Sequence, residues 1–125
     1  MGLTLIWLLI VLFLSVMPLQ GLQTGHPMDK IAHFVIYGIT SIILFRILRK
    51  KMSLVKTTVF SISFASLYGL AIELIQHALP WREFSFLDEA ANFSGALVFS
   101  VIYAIREYNR KRLKTGATSI YRKGD

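Results

Sequence analysis

Several stretches of this chain run for about 18 or more residues with almost no charged side chain. An apolar helix of that length can cross the hydrocarbon core of a bilayer, which is roughly 30 Å thick. The composition agrees, because 54% of the 125 residues are hydrophobic, whereas soluble domains have roughly 45–50% apolar residues. The chain has no cysteine, which excludes disulfides and cysteine metal sites. We therefore predict an all-α fold, an integral membrane four-helix bundle.

The apolar segments are separated by stretches that are either basic or rich in turn-forming residues. They predict helices at about 3–18, 30–48, 55–79 and 86–105. No Lys or Arg precedes the first segment and no small-residue cleavage site follows it, which favours an uncleaved helix over a signal peptide. Asp29 is a predicted N-cap, and Pro80 is expected to stop the third helix. The chain then divides into a four-helix transmembrane domain, 1–105, and a basic tail, 106–125.

The net charge of +7 is concentrated in the loop after the second helix and in the tail. Positively charged loops of membrane proteins lie mostly on the cytoplasmic side. We therefore expect a multi-pass protein with cytoplasmic N- and C-termini. Attraction to anionic lipid explains the basic clusters without a nucleic-acid partner. The same orientation sends the starts of the second and fourth helices and the end of the third to one outer face.

Polar side chains at these outer helix ends fall on stripes. Asp29 and His33 lie four residues apart on the second helix, and Asp88 and Asn92 lie four apart on the fourth. A charged side chain deep in a membrane helix costs about 2.5–3.5 kcal/mol, so Glu73 should be paired, hydrogen-bonded or protonated. This pattern predicts an outward-facing polar pocket. Its predicted ligand-binding residues are Asp29, Lys30, His33, Glu73, Gln76, Arg82, Asp88 and Asn92.

Most of these residues also have a purely structural interpretation, and Glu73 is the hardest to explain in that way because it lies deepest. Asp29 and Asp88 could act only as helix caps, and His33 could be a hydrogen-bonded structural histidine. Gln76 and Asn92 could only hold neighbouring helices together, as polar side chains do in membranes. On the third helix, small residues recur every four positions up to Glu73, which predicts a face buried against a neighbour. That stripe consists of Ser61, Ala65 and Gly69.

If the pocket carries out chemistry, the candidate catalytic residues are Glu73, Asp88 and His33. A carboxylate would act as general base and the imidazole as general acid, while Lys30 and Arg82 would hold an anionic group. A metal site formed by His33, Glu73 and Asp88 is conceivable. Because no HxxxH or HExxH spacing supports it, we expect no metal ion and no other cofactor.

Three motifs in this order resemble those of the VanZ-like family of small bacterial membrane proteins. The resemblance covers roughly residues 29–103, and the first helix resembles the family only in being an apolar segment. The family pattern usually has Gly at the position of Trp81 and often has Gly at that of Phe99, but neither departure touches the polar set. The motifs are D-K-x-x-H-F from Asp29, E-x-x-Q-x-x-x-P-x-R from Glu73 and D-x-x-x-N-x-x-G from Asp88.

The resemblance implies a protein of the bacterial cell membrane, and the founding member of the family is linked to resistance to the glycopeptide teicoplanin. It supplies no established catalytic residues. We therefore expect a pocket that binds a cell-envelope component or lipid headgroup and affects glycopeptide susceptibility. Alternative hypotheses are a membrane-embedded enzyme acting on a lipid-linked phosphate or glycan, and a small proton-coupled carrier. The expected partner is a membrane lipid or envelope precursor, and a homo-oligomer is left open.

Overall fold

A computed structural model describes the chain over residues 2–17, 27–80 and 84–122, with side chains as far as residue 113. Over these residues the fold is all-α with four helices, which confirms that part of the prediction. Two of the helices, the second and the third, are long and apolar enough to cross a membrane, whereas the first is apolar but shorter. The four helices are α1 (Gly2–Val16), α2 (Pro27–Leu48), α3 (Leu54–His77) and α4 (Phe86–Arg122).

The starts of α2 and α4 differ from the predicted capping arrangement. α2 begins at Pro27, because proline suits the first helical position, where its missing N–H leaves no hydrogen bond unmade. Asp29 therefore lies inside the first turn and is not the N-cap. Asp88 likewise lies in the first turn of α4, where its backbone N–H donates to Ser85 Oγ at 3.3 Å. Neither carboxylate has the position of a capping residue.

α4 continues past the predicted limit at residue 105 and ends at Arg122. The residues that follow position 105 are rich in Arg and Lys, which are good helix formers. At this level α4 still contacts the bundle, because Arg49 Nε lies 4.0 Å from Glu107 Oε1. The basic segment is therefore a projection of the fourth helix beyond the other three.

Small residues set the distances between α2, α3 and α4. The predicted stripe on α3 is buried, including Ala65 and Gly69. A Cβ atom added to Gly69 would lie 2.6 Å from Asn92 Nδ2 on α4. At Gly95 an added Cβ would overlap the backbone carbonyl oxygen of Phe34 on α2. The helix backbones therefore approach closely, and the packing between α2 and α4 is the most extensive in the bundle.

Hydrogen bonds join α1 to both α2 and α3. The indole Nε1 of Trp7 donates to Thr40 Oγ1 at 2.9 Å, and the hydroxyl of Tyr68 donates to the carbonyl oxygen of Leu8 at 2.6 Å. Most other apolar side chains of α1 point away from the bundle, and Leu9 and Phe13 are 63% and 59% exposed. An apolar surface of this extent is typical of a membrane or protein contact.

Candidate functional site

One end of the bundle brings together the start of α2, the end of α3 and the start of α4. Buried polar side chains meet there, although α2 and α3 are strongly apolar. Asp29, His33, Asp88 and Asn92 are buried, with 6%, 8%, 3% and 0% of their surface exposed. We call the connected group the polar cluster. It consists of Asp29, Lys30, His33, Asp88, Glu89 and Asn92.

His33 is held between α2 and α4 by a side-chain relay. Its Nδ1 lies 2.9 Å from Asn92 Oδ1, and Asn92 Nδ2 donates to Glu89 Oε2 at 3.0 Å. Because the amide nitrogen of Asn92 donates its hydrogen bond to the Glu89 carboxylate, the amide oxygen faces the imidazole as an acceptor. The proton on the Nδ1 side is assigned from this network, which leaves Nε2 directed at the rest of the cluster.

The Nε2 side of His33 faces carboxylates. Nε2 lies 3.7 Å from Asp29 Oδ1, one turn earlier on α2. Asp88 approaches from α4, and its Oδ1 lies 3.7 Å from Lys30 Nζ. The Lys30 side chain is 29% exposed and the Asp88 side chain only 4%, so the ammonium group approaches a buried carboxylate from the rim.

Glu73 adjoins the polar cluster and closes the turn between α3 and α4. Its Oε1 accepts the backbone N–H of Ser85 at 2.7 Å. Ser85 in turn accepts the backbone N–H of Asp88 through its hydroxyl. The deep carboxylate of α3 is therefore hydrogen-bonded, as its cost in an apolar helix requires. At least one of its oxygens has a structural role in the turn.

Of the remaining predicted ligand-binding residues, Gln76 stands apart from the polar cluster. Gln76 is buried, but its Nε2 donates to the carbonyl oxygen of Ser15 at 2.7 Å and so joins α3 to the end of α1. The structural interpretation of Gln76 as a contact between helices fits this position. Arg82 lies outside the residues that the structure describes.

Glu89 and Tyr37 complete the surroundings of His33. Glu89 is absent from the predicted set, although its spacing of three residues from Asn92 places both on one helix face. The ring of Tyr37 is stacked with the His33 ring, with centroids 6.1 Å apart and planes within 9°. Its hydroxyl is buried and has no hydrogen-bond partner among the described residues. Tyr37 follows His33 by four residues, so the sequence places both on the same stripe of α2.

The polar cluster is acidic in sum. It contains three carboxyl groups, one ammonium group and one imidazole. This composition suits partners that donate hydrogen bonds or carry positive charge. The partly exposed ammonium of Lys30 is the one group of the cluster that suits an anion.

A comparison with protein families matches the model described as VanZ/LLP1 to residues 2–107. The matched segment includes all of α1, α2 and α3, the polar cluster and the part of α4 that packs on the bundle. The resemblance drawn from the three motifs is thereby confirmed and extends through the first helix. No curated protein and no solved structure matches the chain.

Proposed function

The chain belongs to the VanZ/LLP1 family, and on that premise we propose that it is a multi-pass membrane protein whose polar cluster binds a lipid headgroup or a lipid-linked envelope precursor. The observation that carries the proposal is the group of buried ionisable side chains at one end of apolar helices. Such residues are costly within a membrane and are retained mostly where they serve a function. In this proposal the helix termini that carry the polar cluster face outward and both chain termini are cytoplasmic.

The charges of the polar cluster favour a headgroup with both an anionic and a hydrogen-bond-donating part. The Lys30 ammonium is exposed enough to meet a phosphate. The carboxylates of Asp29 and Glu89 suit hydroxyl or ammonium donors. A bare phosphate would meet three carboxylates for each ammonium, so it is a poorer partner than a phospholipid headgroup or a glycan phosphate.

The binding function is tested by mass spectrometry of lipids that copurify with the detergent-solubilised protein. We expect one lipid class to be enriched relative to the bulk membrane. Asp88→Asn should reduce that enrichment several-fold while the helical circular dichroism spectrum stays unchanged. His77→Ala is the matched control, because His77 lies near this end but is exposed. A lipid profile equal to that of the bulk membrane would rule out specific binding.

In cells, the same binding function would change susceptibility to glycopeptides. A protein that binds envelope precursors or headgroups at the outer surface changes what a lipid-anchored glycopeptide encounters there. We expect expression of the wild type to shift the teicoplanin inhibitory concentration and expression of Asp88→Asn not to do so at equal protein level. Equal inhibitory concentrations with and without the wild type would separate the binding function from resistance.

An enzyme acting on a lipid-linked phosphate or glycan is the second candidate, favoured by the oriented imidazole. His33 has Nδ1 fixed by Asn92 and Nε2 beside a carboxylate, an arrangement suited to proton transfer. Asp88 then replaces Glu73 as the better candidate base, because Glu73 Oε1 is engaged by Ser85. An enzyme should turn over purified lipid-linked substrate and lose that activity in Asp88→Asn. A binding protein should release the lipid unchanged.

A further inference from the structure

Three side chains of the polar cluster meet at one place, and all three are of types that bind metal ions. Asp29 and His33 on α2 and Asp88 on α4 each direct one potential ligand atom to a common region, and these atoms all lie within 4.8 Å of one another. With bonds of about 2.1 Å, tetrahedral zinc holds its ligands roughly 3.4 Å apart.

The relay through Asn92 prepares His33 for this role. Metal-binding histidines usually donate the ring N–H that does not bind the metal to a carboxylate or carbonyl oxygen, which fixes the tautomer. His33 makes that contact from Nδ1 to Asn92 Oδ1, and Glu89 holds Asn92 in turn. Nε2 is thus the nitrogen that offers its lone pair, and it faces Asp29 at 3.7 Å.

The Asp88 carboxylate gives an independent indication of a cation. Its Oδ1 is buried and receives no hydrogen bond from the described residues, and the whole residue is 3% exposed. Lys30 Nζ is 3.7 Å away, which exceeds a hydrogen-bond length. Two carboxylates and an imidazole lone pair that converge repel one another unless a positive charge lies between them.

We propose that Asp29, His33 and Asp88 bind a divalent transition-metal ion of the Zn²⁺ type. A ligand set of one imidazole and two carboxylates favours Zn²⁺ over Mg²⁺ or Ca²⁺, which take oxygen ligands alone. Three protein ligands leave a coordination position open, as in catalytic rather than structural zinc sites. That position would take water or an oxygen atom of a bound headgroup.

Lys30 is the competitor for this site. Its ammonium group compensates part of the negative charge of Asp88, and its partly exposed side chain can turn away when a divalent ion enters. The chain therefore has two states of the cluster, one neutralised from the rim by Lys30 and one neutralised from within by the metal. Removal of the Lys30 charge should favour the metal-bound state.

The test is titration of the full-length protein in detergent with ZnCl₂ by isothermal calorimetry, after treatment with a chelator and its removal. We expect one Zn²⁺ per chain. Asp88→Asn should weaken binding by at least about 10-fold, within the range seen for altered metal sites, while His77→Ala should leave it unchanged. Lys30→Met should bind Zn²⁺ more tightly than the wild type, because the competing charge is gone.

Each outcome separates the metal site from its alternatives. Absence of saturable binding to the wild type overturns the proposal, and so does an affinity that Asp88→Asn leaves unchanged, since the ion is then adventitious only. If Asp88→Asn fails to fold, Lys30→Met decides: tighter binding supports the site, whereas a lower melting temperature that Zn²⁺ does not restore shows that Lys30 is the cation of the cluster. The inference goes beyond lipid binding, because metal affinity is measured without added lipid.

Discussion

The two ends of the bundle carry opposite charge and are built in different ways. At the polar cluster, acidic side chains are buried and each depends on a partner from another helix or another turn. At the opposite end, where α2 passes into α3, the side chains of Arg46, Lys50 and Lys56 are exposed. In the proposed membrane topology, the basic end acts through its summed charge, since positive loops orient membrane proteins and attract anionic lipid. The polar cluster acts through the geometry of individual atoms.

The largest expected effect comes from the helix contact beneath the polar cluster. Gly95→Val should abolish accumulation of folded protein, because a Cβ at this position overlaps the backbone of Phe34 and overpacking costs at least about 1–3 kcal/mol. Yield and melting temperature in detergent measure the effect. Gly2→Val is the control, since an added Cβ there meets no atom within 4 Å. A normally folded Gly95→Val protein would contradict the close packing of α2 and α4.

A smaller effect is expected from the relay to His33. Asn92→Leu leaves the Nδ1 side of the imidazole and the Glu89 carboxylate without their partner, and such a loss costs about 1–3 kcal/mol of unfolding free energy. Ser94→Ala on the same helix is the control, because the Ser94 hydroxyl is exposed and bonds only the carbonyl of Ala90. Equal melting temperatures for the two variants would contradict the prediction that specific side-chain pairs stabilise the polar cluster.

The smallest effect belongs to the ion pair at the basic end. Arg49 Nε and Glu107 Oε1 are 4.0 Å apart, and both side chains are about one-fifth exposed. Pairs of this kind contribute about 0–1 kcal/mol, so a double-mutant cycle with Arg49→Ala and Glu107→Ala should give a coupling energy in that range. The same cycle on His33 and Asn92 should give a larger one. A reversed order would break the contrast between the two ends.

The fold followed from the sequence because long apolar runs, prolines and small residues act locally. The stripe through Ala65 and Gly69 is buried as its spacing indicates. The site followed less completely, because a helix that is apolar on nearly every side does not fix its own rotation. Gln76 lies three residues from Glu73, yet it faces α1 since the Ser15 carbonyl at the end of that helix needs a donor.

The partners within the site were the least predictable part. The stripes indicated that His33 and Asn92 face inward, but not that they bond each other or that Glu89 completes the relay. The absence of HxxxH or HExxH spacing counted against a metal site formed by His33, Glu73 and Asp88. Ligands contributed by two helices, as in the group formed with Asp88, leave no such signature in the sequence.

The sidedness of the two ends is the decisive property, because the proposed binding function requires the polar cluster to open to the outer surface. The chain has no cysteine, so Met28→Cys beside the cluster and Lys50→Cys at the basic end each provide a single label site, and both positions are exposed. In intact cells, an impermeant thiol reagent should label Met28→Cys but not Lys50→Cys. Lys50→Cys should become labelled only after the membrane is permeabilised. Labelling of Lys50→Cys alone would place the polar cluster on the cytoplasmic side and contradict the account.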